Sequence, residues 1–258
     1  MKIAIIGAGA MGGAIADGIL NKGIIPAVDL FVSNRSVEKL KRFSERGAQV
    51  TTDNRVAVEK ADWVIMAVKP WLVEAVIDGI RDLLTAEKTL ISVAASVANG
   101  QLRQWTDGIP RLFRAIPNIA IAQGASMTFV VPVNEFEEEK EKVIHFFDEM
   151  GKTCVCDEAH LQAGMALASC GIAYAFRYIR AASEGGVELG FKASQAQEIV
   201  MQTLQGAVSL LEAEGMHPEE AIDQVTTPGG FTIKGLNAME QFGFTNAVIQ
   251  GLKASVKS

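Results

Sequence analysis

Cysteine is scarce in this chain: only Cys154, Cys156 and Cys170 occur among 258 residues. Histidine is as rare, with His145, His160 and His217. Neither set has ligand spacing, so no metal centre is expected. In Cys154-Val155-Cys156 both thiols fall on one face of a strand, and the three cysteines are expected to be buried structural residues. Lys/Arg-rich blocks are absent and the net charge is −6, which excludes a nucleic-acid footprint. No apolar run reaches about 18 residues, so no membrane span is expected. The chain enters its first strand at Lys2, which leaves no room for a secretory leader and points to the cytoplasm. The acidic stretch from Glu135 to Glu141 reads as the solvated face of a helix.

Apolar residues make up 49% of the chain, enough for a sizeable core and, at this length, two domains. The first part alternates strands with helices. Continuous apolar runs at Ile3-Ala4-Ile5-Ile6 and from Asp62 to Val68 have the pattern of parallel strands buried on both faces. The spacing predicts a doubly wound α/β sheet over residues 1–157. Thereafter helical periodicity takes over. A long helix rich in Ala, Gly and Ser is expected from 158 to about 184, and Ser194-Gln195-Ala196-Gln197 has the form of a capping box opening another. The small residues Ala163, Gly164, Ala166, Ala168 and Gly171 suit close helix packing. So small a helical layer has much apolar surface to cover. An all-α domain over 158–258 that forms a homodimer or higher homo-oligomer is therefore expected.

The first chemical signal is Gly7-Ala8-Gly9-Ala10-Met11-Gly12, between the first strand and a helix. Gly7 allows the tight turn and Gly9 lets the backbone approach a pyrophosphate. Gly12 lets the helix lie close to the strand, and the free amides at the helix start face the anion. The sequence thus predicts a Rossmann dinucleotide-binding domain. An NAD site ordinarily carries an acidic residue at the end of the second strand. Here that strand ends in Val32-Ser33-Asn34-Arg35-Ser36, and Arg35 offers forked donors to a 2′-phosphate, with Ser33 and Asn34 beside it. NADPH is the expected cofactor, with NADH as a weaker alternative. The plainer reading of Arg35 is a surface charge beginning the next helix.

The second signal is Val225-Thr226-Thr227-Pro228-Gly229-Gly230-Phe231-Thr232, which breaks one helix and opens another. Amides at Gly229, Gly230, Phe231 and Thr232 suit a carboxylate, and the hydroxyls of Thr227 and Thr232 can orient a further polar atom. A capped helix–helix turn is the plainer reading. No His–Asp or Lys–Glu acid/base pair stands out elsewhere, which suits a substrate that is already electrophilic, such as an imine.

With Gly235-Leu236 and Met239-Glu240, this segment resembles the signature of the Δ1-pyrroline-5-carboxylate reductase family. Similarity extends along the chain. Ala67-Val68-Lys69-Pro70 resembles the segment beside the nicotinamide half of the cofactor, and Arg114-Ala115-Ile116-Pro117-Asn118 resembles the R-x-M-P-N element. Ala94-Ala95 and Gln202-Thr203-x-x-Gly206-Ala207 match as well. The resemblance implies an NADPH-dependent oxidoreductase that transfers hydride to the C=N carbon of pyrroline-5-carboxylate, giving L-proline. Thr232 would hold the imine nitrogen as the catalytic residue, while Thr227, Gly229, Gly230 and Phe231 would bind substrate. Asn54, Ala67, Val68, Lys69, Pro70, Ala94 and Asn118 would join Gly7, Gly9, Ala10, Met11, Gly12, Ser33, Asn34 and Arg35 around the cofactor. Lys69 is equally readable as a solvated cation.

The sequence departs from the family pattern S-G-S-G-P-A-Y at Ala168-Ser169-Cys170-Gly171-Ile172-Ala173-Tyr174. It departs again at Ile119-Ala120 and at Phe231, where a small residue is usual. These changes lie in substrate-pocket segments and leave the nucleotide cradle untouched. They keep two alternatives open: a reductase of another cyclic imino acid, and a regulatory NADP(H)-binding protein without turnover. Oxidation of β-hydroxy acids by related enzymes needs a lysine in the interdomain helix. No lysine occurs between residues 153 and 191.

Overall fold

The structure is a computed structural model that describes residues 1–256. It divides into two compact units, Met1–Ser169 and Cys170–Ser258.

The first unit is built on one eight-stranded sheet. Its strands are β1 (Ile3–Ile6), β2 (Leu30–Ser33), β3 (Gln49–Thr51), β4 (Trp63–Met66), β5 (Thr89–Ser92), β6 (Arg111–Ile116), β7 (Ser126–Pro132) and β8 (Gly151–Val155). They lie in the order β3-β2-β1-β4-β5-β6-β7-β8. Pairing is parallel from β3 through β6, antiparallel between β6 and β7, and parallel again to β8. The helices are α1 (Ala10–Lys22), α2 (Glu38–Ser44), α3 (Asn54–Lys60), α4 (Val73–Ile80), α5 (Asn99–Trp105), α6 (Glu137–Asp148) and α7 (Glu158–Met165). Strand alternation assigns each side chain to one of two cores. Ile3, Ile5, Trp63 and Ile65 join the cluster that includes α1 and α6 residues. Ala4, Ile6, Val64 and Met66 join the cluster that includes α3 and α4 residues.

Three expectations for this unit are corrected. The acidic stretch is not wholly solvated: Glu139 is only 5% exposed. Its carboxylate accepts from Trp63 Nε1 at 2.7 Å and from the Thr89 hydroxyl, with Arg111 at 3.5 Å. The cysteines are not all buried. Cys154 is exposed on edge strand β8, and Cys156 and Cys170 are half-buried. The helix expected from 158 is also interrupted, because a π-helical turn over Ala166–Cys170 separates α7 from α8 (Gly171–Glu188). Gly164 on α7 packs against a strand residue: a Cβ there would stand 2.7 Å from the Phe129 ring of β7.

The second unit comprises α8 with α9 (Ala193–Glu214), α10 (Pro218–Gln224), α11 (Phe231–Gln241) and α12 (Phe244–Ala254). The N-cap of α9 is Lys192 and Ser194 lies inside the helix, so the expected capping box does not form. Gly186 lets α8 and α9 approach, since a Cβ there would stand 2.9 Å from the Ala196 methyl. Ala196 is the one buried hydrophobic residue of this unit among the described residues. Large apolar side chains are open to solvent, Leu189 at 84% and Phe242 at 89% exposure.

Candidate active site

Chain order places a cleft at the carboxyl ends of β1 and β4, where the sheet changes direction of winding. Its volume is about 810 Å³. Of the residues expected around the cofactor, the cleft gathers Gly7, Gly9, Ala10, Met11, Ser33, Asn34, Arg35, Asn54, Ala67, Val68 and Lys69.

The glycine turn has the geometry its composition suggests. Gly7 has φ +103°, in the left-handed region, and a Cβ there would stand 2.8 Å from the Ala67 carbonyl. A Cβ on Gly12 would stand 1.9 Å from the Gly7 carbonyl. Gly12 therefore does not line the cleft; it lets α1 start tight against the turn. Gly9 differs, because no protein atom lies within 4 Å of where its Cβ would be. The backbone is open to approach at that position. Gly9 is the N-cap of α1, no side chain caps the helix, and no acidic residue occupies its first turn. The first-turn amides are thus presented to an anion with the favourable end of the helix dipole behind them.

Asn34 lines the cleft but its side chain is already engaged. Its Oδ1 accepts from the Ala8 amide at 3.2 Å and its Nδ2 donates to the Ser36 carbonyl at 3.2 Å. It shapes the glycine turn from β2. The buried Ser33 hydroxyl donates to Asn54 Oδ1 at 2.7 Å. Three cations face the cleft from β2 through α3, Arg35, Lys39 and Arg55, and Lys69 faces it from beyond β4. Arg55 is taken, since its guanidinium meets Asp82 in a fork at 2.6 Å on both arms. That hydrogen bonding raises the pKa of Arg55 and lowers that of Asp82. Arg35, just before α2, and Lys39, in its first turn, have no acidic partner among the described residues. Two unpaired cations at one end of the cleft fit a dianionic group.

Several lining residues were not anticipated. Leu72, Val76 and Ile80 form an apolar wall, with Val93 beyond β5. Their i, i+4, i+8 spacing on the turn and helix after β4 was the available signal. Lys39 was foreshadowed only by its place four residues after Arg35. Pro70, Ala94 and Asn118 do not line the cleft. Asn118 is buried, its Oδ1 accepts from the Ala120 amide at 3.0 Å, and its Nδ2 donates to the Ala168 carbonyl of the π-helical turn at 3.4 Å.

In the second unit, α11 begins at Phe231 with Gly230 as an N-cap that makes no side-chain bond. Gly229 has φ +72°. The Gly230 amide donates to the Thr227 carbonyl at 2.9 Å, so it is not among the free donors expected there. A Cβ on Gly230 would stand 2.5 Å from Thr227 Oγ1. The Thr227 hydroxyl therefore sits over the helix start, with the amides of Phe231 and Thr232 beside it. Thr232 is exposed and Phe231 is 92% exposed. Among the described residues no group of His, Cys, Asp or Glu is placed to hold a metal.

The sheet order, the open space over Gly9 and the uncapped helix behind it define a Rossmann-class dinucleotide-binding unit, in a chain that also carries a helical unit. Comparison with known proteins specifies it further. Residues 158–258 match the family model "Pyrroline-5-carboxylate reductase dimerisation", and residues 2–96 match "NADP oxidoreductase coenzyme F420-dependent". Pyrroline-5-carboxylate reductase 2 of Dictyostelium discoideum is 34% identical over 99% of this chain and 91% of its own length. Pyrroline-5-carboxylate reductase 1 of the same organism is also 34% identical, and the chain spans about half of it, 48%. The crystal structure of Plasmodium falciparum pyrroline carboxylate reductase with NADP bound superposes with a TM-score of 0.91 at 25% identity, covering 99% of this chain and 95% of that one. The chain belongs to the pyrroline-5-carboxylate reductase family.

Proposed function

We propose that this protein reduces Δ1-pyrroline-5-carboxylate to L-proline with NADPH. The observation that carries the reading is the pair of uncapped helix starts, α1 behind Gly9 and α11 behind Gly230. Each presents free amides to an anion, one suited to a pyrophosphate and the other to a carboxylate. Family membership supplies the substrate class.

NADPH, when bound, supplies the hydride that adds to the C=N carbon as the imine π electrons move to nitrogen. The chain's own work is binding and orientation. Backbone amides after Gly9 hold pyrophosphate, and Arg35 with Lys39 holds the 2′-phosphate. Leu72, Val76 and Ile80 wall the cleft and exclude water. On the helical unit, the amides of Phe231 and Thr232 with the Thr227 hydroxyl hold the substrate carboxylate. The Thr232 hydroxyl bonds the ring nitrogen, where a proton must reside for the carbon to accept hydride readily. No acidic or histidine side chain is needed, because the substrate is electrophilic already.

The assembly is proposed to be a homo-oligomer through residues 158–258. The helical unit buries one hydrophobic residue among those described while exposing Leu189, Phe242 and many others. Exposed apolar side chains in that number favour a partner surface over solvent. The free thiols suit a reducing compartment, the cytoplasm of the sequence-based expectation.

The test is NADPH oxidation by purified protein with pyrroline-5-carboxylate, repeated with Thr232→Ala. The variant is expected to lose roughly 100-fold in kcat/KM for the imine while binding NADPH as before. An undiminished rate overturns the role of Thr232. Binding of NADPH without any turnover by the parent protein overturns the reductase reading in favour of a regulatory one.

A further inference from the structure

β6 alternates so that Leu112, Arg114 and Ile116 share one face of the sheet. Leu112 and Ile116 belong to apolar clusters, and Arg114 between them is only 5% exposed. A buried arginine here is a poor choice for stability. Desolvation lowers its pKa, and its Nε is buried with no hydrogen-bond partner. An apolar residue of similar volume would ordinarily serve the fold as well or better.

What Arg114 holds is specific. Nη1 donates to Glu158 Oε1 at 2.8 Å and to Asn99 Oδ1 at 3.3 Å, and Nη2 donates to the Ala95 carbonyl at 3.3 Å. Glu158 Oε1 also accepts from the Asn99 backbone amide at 2.8 Å. The segment between β5 and α5 is thus gripped at both ends, at Ala95 and at Asn99. It leaves the carboxyl end of β5 beside the cleft, which Val93 lines. Ala95 and Ser96 within it are exposed.

We infer that the Arg114–Glu158 pair is a positioning device for hydride transfer from the cofactor: it fixes the β5–α5 segment at the nicotinamide end of the cleft. The inference rests on the NADPH reading above. Both residues act through the segment and touch no reacting atom. Glu158 stands in the first turn of α7, whose N-cap is Asp157, so the grip is anchored on a helix start. The adenosine end of the cleft, at Arg35, Lys39 and Asn54, lies on the other side of the glycine turn and is untouched by this pair.

The experiment uses Glu158→Gln and Arg114→Lys in the full chain. Glu158 is 45% exposed on its side chain, so its conservative variant is expected to fold. Affinities are measured for NADPH and for 2′,5′-ADP, which carries only the adenosine half. kcat is measured with pyrroline-5-carboxylate, using NADPH and its 4-deuterated form. The expected result is unchanged affinity for 2′,5′-ADP, a roughly 10-fold lower kcat in Glu158→Gln, an enlarged deuterium isotope effect, and a larger loss in Arg114→Lys, whose single ammonium cannot reach Ala95, Asn99 and Glu158 together. An unchanged kcat and isotope effect overturns the inference. So does a parallel loss of 2′,5′-ADP affinity with a lowered thermal midpoint, which marks a general structural role. Should the parent bind NADPH without turnover, the reductase reading fails and the pair is judged on binding alone. Weaker NADPH with unchanged 2′,5′-ADP then supports it, and equal behaviour overturns it.

Discussion

The hydroxyl of Ser33, the last residue of β2, donates to the side chain of Asn54, the first residue of α3, at 2.7 Å. Both line the cleft, and Ser33 is fully buried. The bond holds the Asn54 carboxamide in one orientation, with its nitrogen left for a ligand. Asn54→Ala is expected to weaken NADPH about 10-fold, the scale of one hydrogen bond plus an orphaned hydroxyl. Adding Ser33→Ala costs little more, because the two residues act as a pair. Calorimetric titration of the single and double variants checks this; additive losses contradict it.

Arg35 and Lys39 are the cations at the β2 side of the cleft without an acidic partner among the described residues, whereas Arg55 is committed to Asp82. Arg35→Ala is expected to weaken NADPH roughly 10- to 100-fold and to leave NADH within a few-fold. Lys39→Ala follows the same pattern more weakly, since a lysine contributes one point charge and no fork. Equal losses for both cofactors would show that neither cation reads the 2′-phosphate.

Glu139 is a buried carboxylate held by Trp63, Thr89 and Arg111. Glu139→Ala orphans the indole N–H and the hydroxyl and is expected to destabilise the first unit by about 2–3 kcal/mol. Glu139→Gln, which keeps one acceptor, costs less. Urea midpoints followed by tryptophan fluorescence distinguish the two. A surface-like change below about 0.5 kcal/mol in Glu139→Ala contradicts the buried network.

Asp157 caps α7 by accepting from the His160 amide at 2.9 Å, and its carboxylate also meets the His160 ring at 2.7 Å. The His160 amide first, and then the ring, hold its pKa below the ordinary aspartate value. A depressed folded pKa means that the cap's contribution is full above the unfolded value of about 3.9 and fades as pH falls through the folded one. Amide exchange in the first turn of α7 should therefore accelerate in acid below about pH 4. Asp157→Asn, which caps without titrating, should show a flatter profile. Identical profiles would remove Asp157 from the acid response.

The glycine turn was legible because Gly7, Gly9 and Gly12 each answer a backbone requirement that no side chain can meet. The place of Arg35 at the cleft was legible from its position after a strand. Glu139 was misread because helical charge patterning shows which residues share a face and leaves open what that face meets. Here it meets Trp63 and Thr89, distant in sequence. Asn34 was assigned to a ligand because its donors and acceptors appear free in a linear chain; folding gives them to Ala8 and Ser36. The interruption at Ala166–Cys170 was hidden in a run of small residues with good helical periodicity.

By itself the sequence determined the class of cradle, the change from alternating to helical pattern, and both glycine-led helix starts, since these are local properties of glycine spacing and hydrophobic period. Tertiary structure alone decided which polar groups remain free. It spent Arg55 on Asp82 and left Arg35 and Lys39 unpaired, and it placed Arg114 where its bonds reach Ala95, Asn99 and Glu158. The reason is that hydrogen-bond partners are chosen by distance in space, and strand order brings together residues that the chain keeps far apart.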